Sequence, residues 1–226
     1  ATVGTMAAEV AHEIRNPLGA IVLNLDLIQK EITCLALTSR HNPAEGGELV
    51  GEMRGEVHRI QKVLEDYLKF ARLAKPDRRP MAINDLLEQK LAFTCAELAP
   101  AGVVLRTEFD RTMPPIQADA DQLWQATLNL IHNSLEAMPD GGELSISTQH
   151  DEGHAVLRVR DSGQGMKAED FAKVFQPFFT TKPSGTGLGL TLVQQIIHEH
   201  GGRVECESVP GNGCTFTLFL PVMKAS

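Results

Sequence analysis

Asn129 and Asn133 stand one helical turn apart in the stretch LNLIHNSLEAM and present two carboxamides in one direction. An amide oxygen is a hard, neutral ligand that suits Mg2+, an ion that keeps several waters and is otherwise held by phosphates. Asp161 follows the strand pattern AVLRVR and opens DSGQGM, with Gly163 and Gly165 behind it. A carboxylate placed there accepts a hydrogen bond from an exocyclic amine, and residues without side chains let a flat ring approach the backbone, as reading an adenine requires. Gly185, Thr186, Gly187, Leu188 and Gly189 immediately precede another helical pattern. Backbone amides at a helix N-terminus favour anions and glycine permits close approach, so this segment suits a polyphosphate. Lys182, in the polar segment Thr180 to Ser184 just upstream, has the charge and reach for a terminal phosphate.

Each pattern alone has a plainer structural reading: two solvated amides, a tight turn, a glycine-rich hinge. The loop is not the dinucleotide fingerprint GxGxxG, because Leu190 stands at its last glycine position, and no GxxxxGK[ST] occurs. HEH at His198 to His200 reads as a surface helix end, since i and i+2 diverge on a helix.

A further chemical group lies near the start. In residues 7 to 28, Ala7, Ala11, Ile14, Leu18, Ile21, Leu25 and Ile28 recur at alternating steps of four and three, and Ile32 and Leu35 continue the seam. His12, Glu13 and Asn16 fall on the opposite face, so the His12 imidazole is presented to solvent. Asn16 shares its surface, whereas Glu13 points about 100° away and reaches the imidazole edge only through its long side chain.

These groups need elements to hold them. A first helix is expected over about Thr5 to Leu37, kinked near His12 by Pro17. Ser39 to Gly47 has turn composition, and Val50, Met53, Val57, Ile60, Leu64, Tyr67 and Ala71 define a second, antiparallel seam helix. Because a hairpin covers each seam on one side only, residues 1–75 are expected to form a four-helix bundle as a homodimer. Residues 76–80 read as a polar linker, 81–222 as a second domain and 223–226 as a tail. In the second domain, strands are expected near Met81 to Ile83, at Val103 to Phe109, Ile116 to Ala118, Glu143 to Gln149, Ala155 to Arg160, Arg203 to Ser208 and Cys214 to Leu220. Helices are expected over Asn84 to Leu98, capped by Asn84, from an Asp119 cap to Met138, and from about Leu188 to His200. On the second of these, Leu123, Thr127, Ile131, Leu135 and Met138 mark the apolar face, and Gln122, Gln125, Asn129, Asn133 and Glu136 the polar one. The class is α+β: a helical hairpin followed by an α/β sandwich.

The 226 residues are 42% apolar and carry a formal charge of −8, which disfavours nucleic-acid binding through a broad basic surface. The four cysteines show no CxxC spacing, and no secretory signal or membrane-length apolar run occurs, so a cytoplasmic fragment without membrane contact is expected. The start at Ala1, close to a seam helix, suggests a piece of a longer protein with a sensor or membrane module upstream. Cys206 and Cys214 flank the turn sequence PGNG as neighbours across a hairpin and are expected as buried free thiols.

HEIRNP, NLIHNSLEAM, DSGQGM, PFFTTK and GTGLGL, in this order and with these separations, resemble the successive boxes of the sensor histidine kinases of two-component systems, of a nitrogen-regulation-like type. The resemblance covers essentially the whole chain. It implies that residues 1–75 are the dimerisation and histidine phosphotransfer domain. Residues 81–222 would be the ATP-binding domain shared with gyrase, mismatch-repair and heat-shock chaperone ATPases. His12 would then be the phosphoacceptor, Glu13 its base, and Asn16 the group that orients water in dephosphorylation of the partner. Asn133 would be the principal Mg2+ ligand with Asn129 beside it, Asp161 the adenine reader, and Phe175, Phe178 and Phe179 the anchors of the lid. Many relatives carry a lysine and an aromatic residue at Glu136 and Ala137, so more weight falls on Lys182 and His132 as phosphate contacts. The implied activity is autophosphorylation of His12 from Mg-ATP, then transfer to an aspartate of a response-regulator receiver domain, with dephosphorylation of that regulator as a second activity. Whether the phosphoryl group moves within a chain or across the dimer depends on the handedness of the turn at 39–47. The alternatives are an ATPase of the same superfamily that does not phosphorylate itself and a dimeric scaffold regulated by nucleotide.

Overall fold

The computed structural model describes residues 18–19, 21–23, 25–30, 32–33, 44–71, 73–182 and 185–223. His12, Glu13, Asn16, Pro17 with its expected kink, and Cys34 lie outside the described residues. The chain divides into two compact units, Ala1–Ala74 with Thr181–Thr186, and Lys75–Thr180 with Gly187–Ser226.

In the first unit the described residues from 18 to 33 are helical (α1), and α2 runs over Ala44–Ala71. Helix α2 therefore starts inside the segment expected to be a turn, with Gly46 and Gly47 in its first turn, where the amides have no intrahelical acceptor. Leu18 and Leu25 of α1 pack with Val50 and Val57 of α2, flanked by Val22 and Ile32. Arg54 bridges Asp26 at 2.8 Å, a half-exposed pair that adds little stability. The two seam positions part company here. Leu18, Leu25, Val50 and Val57 are buried, but Ile21 (45%), Ile28 (46%), Met53 (54%) and Ile60 (47%) stay exposed in the single chain. One helix covers only one stripe of its neighbour, and the other half of each seam is left to water.

In the second unit, β1 (Arg79–Met81) pairs antiparallel with β3 (Ile116–Ala118), so Arg79 and Pro80 belong to a strand rather than to a free linker. The main sheet has β2 (Val103–Phe109), β4 (Gly142–Asp151), β5 (His154–Asp161), β6 (Arg203–Ser208) and β7 (Cys214–Pro221) in the order β2-β4-β5-β7-β6. Only β2 and β4 pair in parallel, because the chain between them crosses over through α4 (Ala120–Ala137); the other pairs are antiparallel. Strand β7 alternates, with Cys214, Phe216, Leu218 and Leu220 buried. The sheet carries α3 (Ile83–Leu98) against β2, α4 against β5 and α6 (Gly189–Glu199) against β6 and β7, the helical layer of an α+β sandwich.

Helix α4 begins where Asp119 caps it: Oδ1 accepts from the amides of Asp121 (3.1 Å) and Gln122 (3.2 Å). Its buried residues are Gln122, Leu123, Ala126, Thr127, Leu130, Ile131 and Ser134. Gln122, expected on the polar face, is thus inside, and Leu135 is only half-buried. Asn84 does not cap α3; it lies within the helix, where its Nδ2 donates to Asp110 O (2.8 Å) and its Oδ1 accepts from Thr148 (2.8 Å). That pair ties α3 to the sheet instead.

His200 is not a surface residue. It is 1% exposed, Nε2 accepts the Asp119 amide at 3.0 Å, and Nδ1 bonds Ile196 O at 2.7 Å. This pairing needs the neutral imidazole with its proton on Nδ1. Burial lowers the His200 pKa below its ordinary 6.5, against the opposing effect of the Ile196 carbonyl. The unfolded chain therefore takes up this proton first, so the stability His200 contributes is complete above the ordinary histidine value and is lost as pH falls below it. The melting temperature is expected to fall from about pH 7.5 to about pH 5.5, with a shallower slope in His200→Asn. Parallel slopes in the two proteins would contradict this.

Candidate functional site

Asp161 ends β5 and is 3% exposed. Its Oδ1 accepts from the amides of Gly163 (2.9 Å) and Cys214 (3.2 Å), and its Oδ2 from Ser134 Oγ of α4 (3.4 Å). A buried carboxylate so held has a fixed orientation, and bonds to a charged acceptor are the stronger kind. Behind it, the loop lies on the end of α4: Gln164 N donates to Ala137 O at 3.2 Å, and Ser162 Oγ accepts the Glu143 amide at 2.9 Å. The β6–β7 turn closes the other side. Gly211 N donates to Gln164 O (2.8 Å), and a β-carbon at Gly165 (φ +68°) would meet Val209 O at 2.3 Å. Only glycine fits there.

Asn129 and Asn133 are half-buried on α4, as the exposed His132 and Glu136 are not. Among the described residues Asn129 Nδ2 is buried with no hydrogen-bond partner. A β-carbon added at Gly189 would lie 3.9 Å from Asn129 Oδ1, so this amide sits beside the first residue of α6. No side chain caps α6, where Leu188 is the buried cap residue. An orphaned amide next to uncapped helix amides is a polar recess whose groups want acceptors.

Phe178 (φ 65°) is exposed at 59%, and its amide donates to Gly187 O at 3.0 Å. Phe175 O accepts from Thr191 Oγ1 of α6 at 3.2 Å, while Phe179 N donates to Gln176 O at 3.2 Å. Lys182, Gly185 and Thr186 fall in the first unit: Gly185 N donates to Lys182 O (3.2 Å) and Thr186 Oγ1 to Asp66 Oδ2 of α2 (2.8 Å). The second unit thus gathers Asn129 with Gly189, and Asp161 with Gly163 and Gly165. Sequence reasoning overlooked Ser134, the Cys214 amide and Ser208, whose Oγ accepts from the Met166 amide of the Asp161 loop at 2.8 Å. Ser134 sits within NSLEAM, beside Asn133, and could have been weighed with it; the other two had no local signal. Among the described residues no group of three or more His, Cys, Asp or Glu side chains could hold a metal, and no helix is long and apolar enough to cross a membrane.

Residues 118–224 match the family described as histidine kinase-, DNA gyrase B-, and HSP90-like ATPase, and residues 2–76 match the His Kinase A (phospho-acceptor) domain. The chain is 35% identical over 223 residues to the signal transduction histidine-protein kinase AtoS of Escherichia coli (strain K12), covering 98% of this chain and 35% of that protein. It is also 35% identical over 222 residues to the sensor histidine kinase ZraS of Klebsiella oxytoca, covering 97% of this chain and 46% of the other. The chain therefore spans less than half the length of these curated relatives. Its fold resembles that of full-length ShkA in complex with AMPPNP, with a TM-score of 0.74 at 24% identity, covering 99% of this chain and 47% of that one. The histidine kinase ThkA, solved in complex with the response regulator protein TrrA, gives a TM-score of 0.69 at 25% identity over 98% of this chain and 62% of that one.

Proposed function

Since the chain belongs to the histidine kinases, carrying both their phosphoacceptor and their ATPase domain, we propose that it autophosphorylates on His12 from Mg-ATP and passes the phosphoryl group to an aspartate of a response-regulator receiver domain. The buried, unpartnered Asn129 amide beside the start of α6 carries the nucleotide part of this reading. Its Nδ2 is a donor suited to a phosphate oxygen, and its Oδ1, with that of Asn133, suits a hydrated divalent cation. The residues present thus fit both groups.

Asp161 accepts the adenine amine, held by Gly163, Ser134 and Cys214 so that it does not turn away. Gly163 and Gly165 leave the backbone open to the ring. Gly185, Thr186, Gly187, Leu188 and Gly189 offer amides to the phosphates, and Lys182 meets the terminal one. Mg2+, when bound by Asn133 and Asn129, supplies neutralisation of phosphate charge. The neutral His12 imidazole attacks the γ-phosphorus in line; the N–P bond forms as the bond to the ADP oxygen breaks, and Glu13 takes the ring proton. Asn16 orients the water that hydrolyses the phosphorylated regulator. The ThkA complex with a response regulator, a protein similar to this chain, supports the choice of partner. The cytoplasm, where such a regulator is found, is the expected compartment.

The half-seams left exposed at Ile21, Ile28, Met53 and Ile60 support a homodimer through a four-helix bundle. Ile28→Glu combined with Ile60→Glu is expected to weaken the dimer by about a hundred-fold or more, since each isoleucine loses about 1.5–3 kcal/mol of burial. Light scattering after size-exclusion chromatography checks this; an unchanged mass at low concentration would refute the bundle.

The enzymatic reading is tested by measuring ADP release and protein-bound phosphate together in His12→Gln. A kinase loses phosphate uptake and ADP release in parallel. Continued ADP release without uptake in the variant would instead indicate a conformational ATPase, and binding without turnover in the wild-type chain a scaffold.

A further inference from the structure

The neck of the β6–β7 hairpin holds two thiols. Register pairs Ser208 with Cys214 and Cys206 with Phe216, so Cys206 and Cys214 are diagonal neighbours on the inward face. Both are free, with sulfurs 3.5 Å apart; Cys214 is buried and Cys206 half-buried. Two parts of the candidate site hang from this neck. The Cys214 amide donates to Asp161 Oδ1 at 3.2 Å. The Phe216 ring, opposite Cys206, meets Phe175 edge-on with centroids 6.4 Å apart. Beyond the neck, Ser208 Oγ links the Met166 amide and Gly213 O, at 2.8 Å each, so the turn moves with the Asp161 loop.

We propose that Cys206 and Cys214 form a reversible disulfide that weakens nucleotide binding, a regulatory step that rests on the ATP reading above. The oxidant is a peroxide. The half-buried Cys206, the more exposed of the two, attacks the peroxide oxygen as its thiolate and becomes a sulfenic acid as hydroxide leaves; the Cys214 sulfur then displaces that oxygen, which departs with the thiol proton as water. Two thiols lose two electrons, and the peroxide is reduced. The order of attack follows from the environment, because contact with Cys206 and burial push the Cys214 thiol up and keep it protonated.

Diagonal neighbours of an antiparallel pair have Cα atoms about 7–8 Å apart, whereas a disulfide prefers about 4.4–6.8 Å. Closing the bond draws the two strands together at the neck. The Cys214 amide shifts against Asp161, and Phe216 shifts against Phe175, so the adenine reader and the start of the lid segment are disturbed together.

The test is a titration of the reduced chain with hydrogen peroxide, followed by alkylation, peptide mapping and ATP binding by calorimetry. The expected result is a mapped Cys206–Cys214 bond, affinity for ATP reduced about ten-fold by loss of one bond to a charged acceptor, full recovery with dithiothreitol, and no loss in Cys206→Ser. Two outcomes overturn it: peroxide that oxidises other thiols without linking these two, or a mapped bond with unchanged affinity. Reduced protein that binds no ATP overturns the nucleotide reading and the regulatory claim with it, while the mapped bond still decides whether these thiols join.

Discussion

Asp161→Asn is expected to lower affinity for ATP by about a hundred-fold while leaving the unit folded. The reason lies in the donors already committed to this carboxylate. If the new amide nitrogen takes the Oδ1 side, it faces the Gly163 and Cys214 amides, two donors at 2.9 and 3.2 Å. If it takes the Oδ2 side, it meets the Ser134 hydroxyl, which can turn to accept, but it then presents a donor to the adenine amine. The second arrangement costs the fold less, so it dominates, and the lost charged acceptor is worth about 1.5–3 kcal/mol in binding. Calorimetric titration with ATP measures the affinity, and thermal unfolding of the same variant reports the fold. Wild-type affinity in Asp161→Asn would remove Asp161 from the nucleotide site.

Gly187→Ala is expected to reduce phosphorylation by about a hundred-fold or more, the loss that a displacement near 1 Å in a reacting group can bring. A β-carbon at Gly187 would lie 2.4 Å from the Phe178 carbonyl carbon and 2.7 Å from the Phe179 nitrogen, all backbone atoms, at φ +67°. The neighbour cannot yield cheaply. Phe178 itself has φ 65°, and its amide is already bonded to Gly187 O, so both chains at the neck of this loop are committed. Relief has to come from Leu188 and Gly189, where α6 begins beside Asn129. Gly153→Ala provides the control: φ is +82° there too, but nothing lies within 4 Å. That change costs about 1–2 kcal/mol of stability through its backbone conformation and leaves phosphorylation intact. Equal activity losses in the two variants would mean that backbone strain, not this neck, governs the result.

What the sequence discloses follows the range of the interactions. Asp119 is readable as a cap because the capping itself is done by Oδ1 within three residues, at the amides of Asp121 and Gln122, whereas the long-range bond that its Oδ2 accepts from the Asp77 amide is not. The seams of α1 and α2 are readable because burial repeats along each helix, and the split between buried Leu25 and exposed Ile28 follows from a single covering neighbour. Asp161 with its glycines is a short-range pattern, but the groups that orient it are not. Ser134 lies 27 residues before it and Cys214 lies 53 after it, and only the packing of α4 on β5 and the pairing of β5 with β7 bring them there. His200 misleads for the same reason: at the end of a helix it reads as solvated, whereas the fold sets the Asp119 amide, 81 residues away, against its Nε2. Asn84 reads as a cap from its position before an apolar run, yet Thr148 and Asp110 claim both ends of its amide. Local rules rank what a side chain prefers, and tertiary contacts decide which preference is met.

The central claim is that His12 takes the γ-phosphoryl group of ATP held at Asn133 and Asp161. Incubation with γ-labelled ATP and Mg2+, beside His12→Gln and Asn133→Ala, followed by acid and alkali treatment, tests it most directly. The account predicts acid-labile, alkali-stable label on the wild-type chain and none on either variant. Label that survives in His12→Gln, or that resists acid, would contradict it.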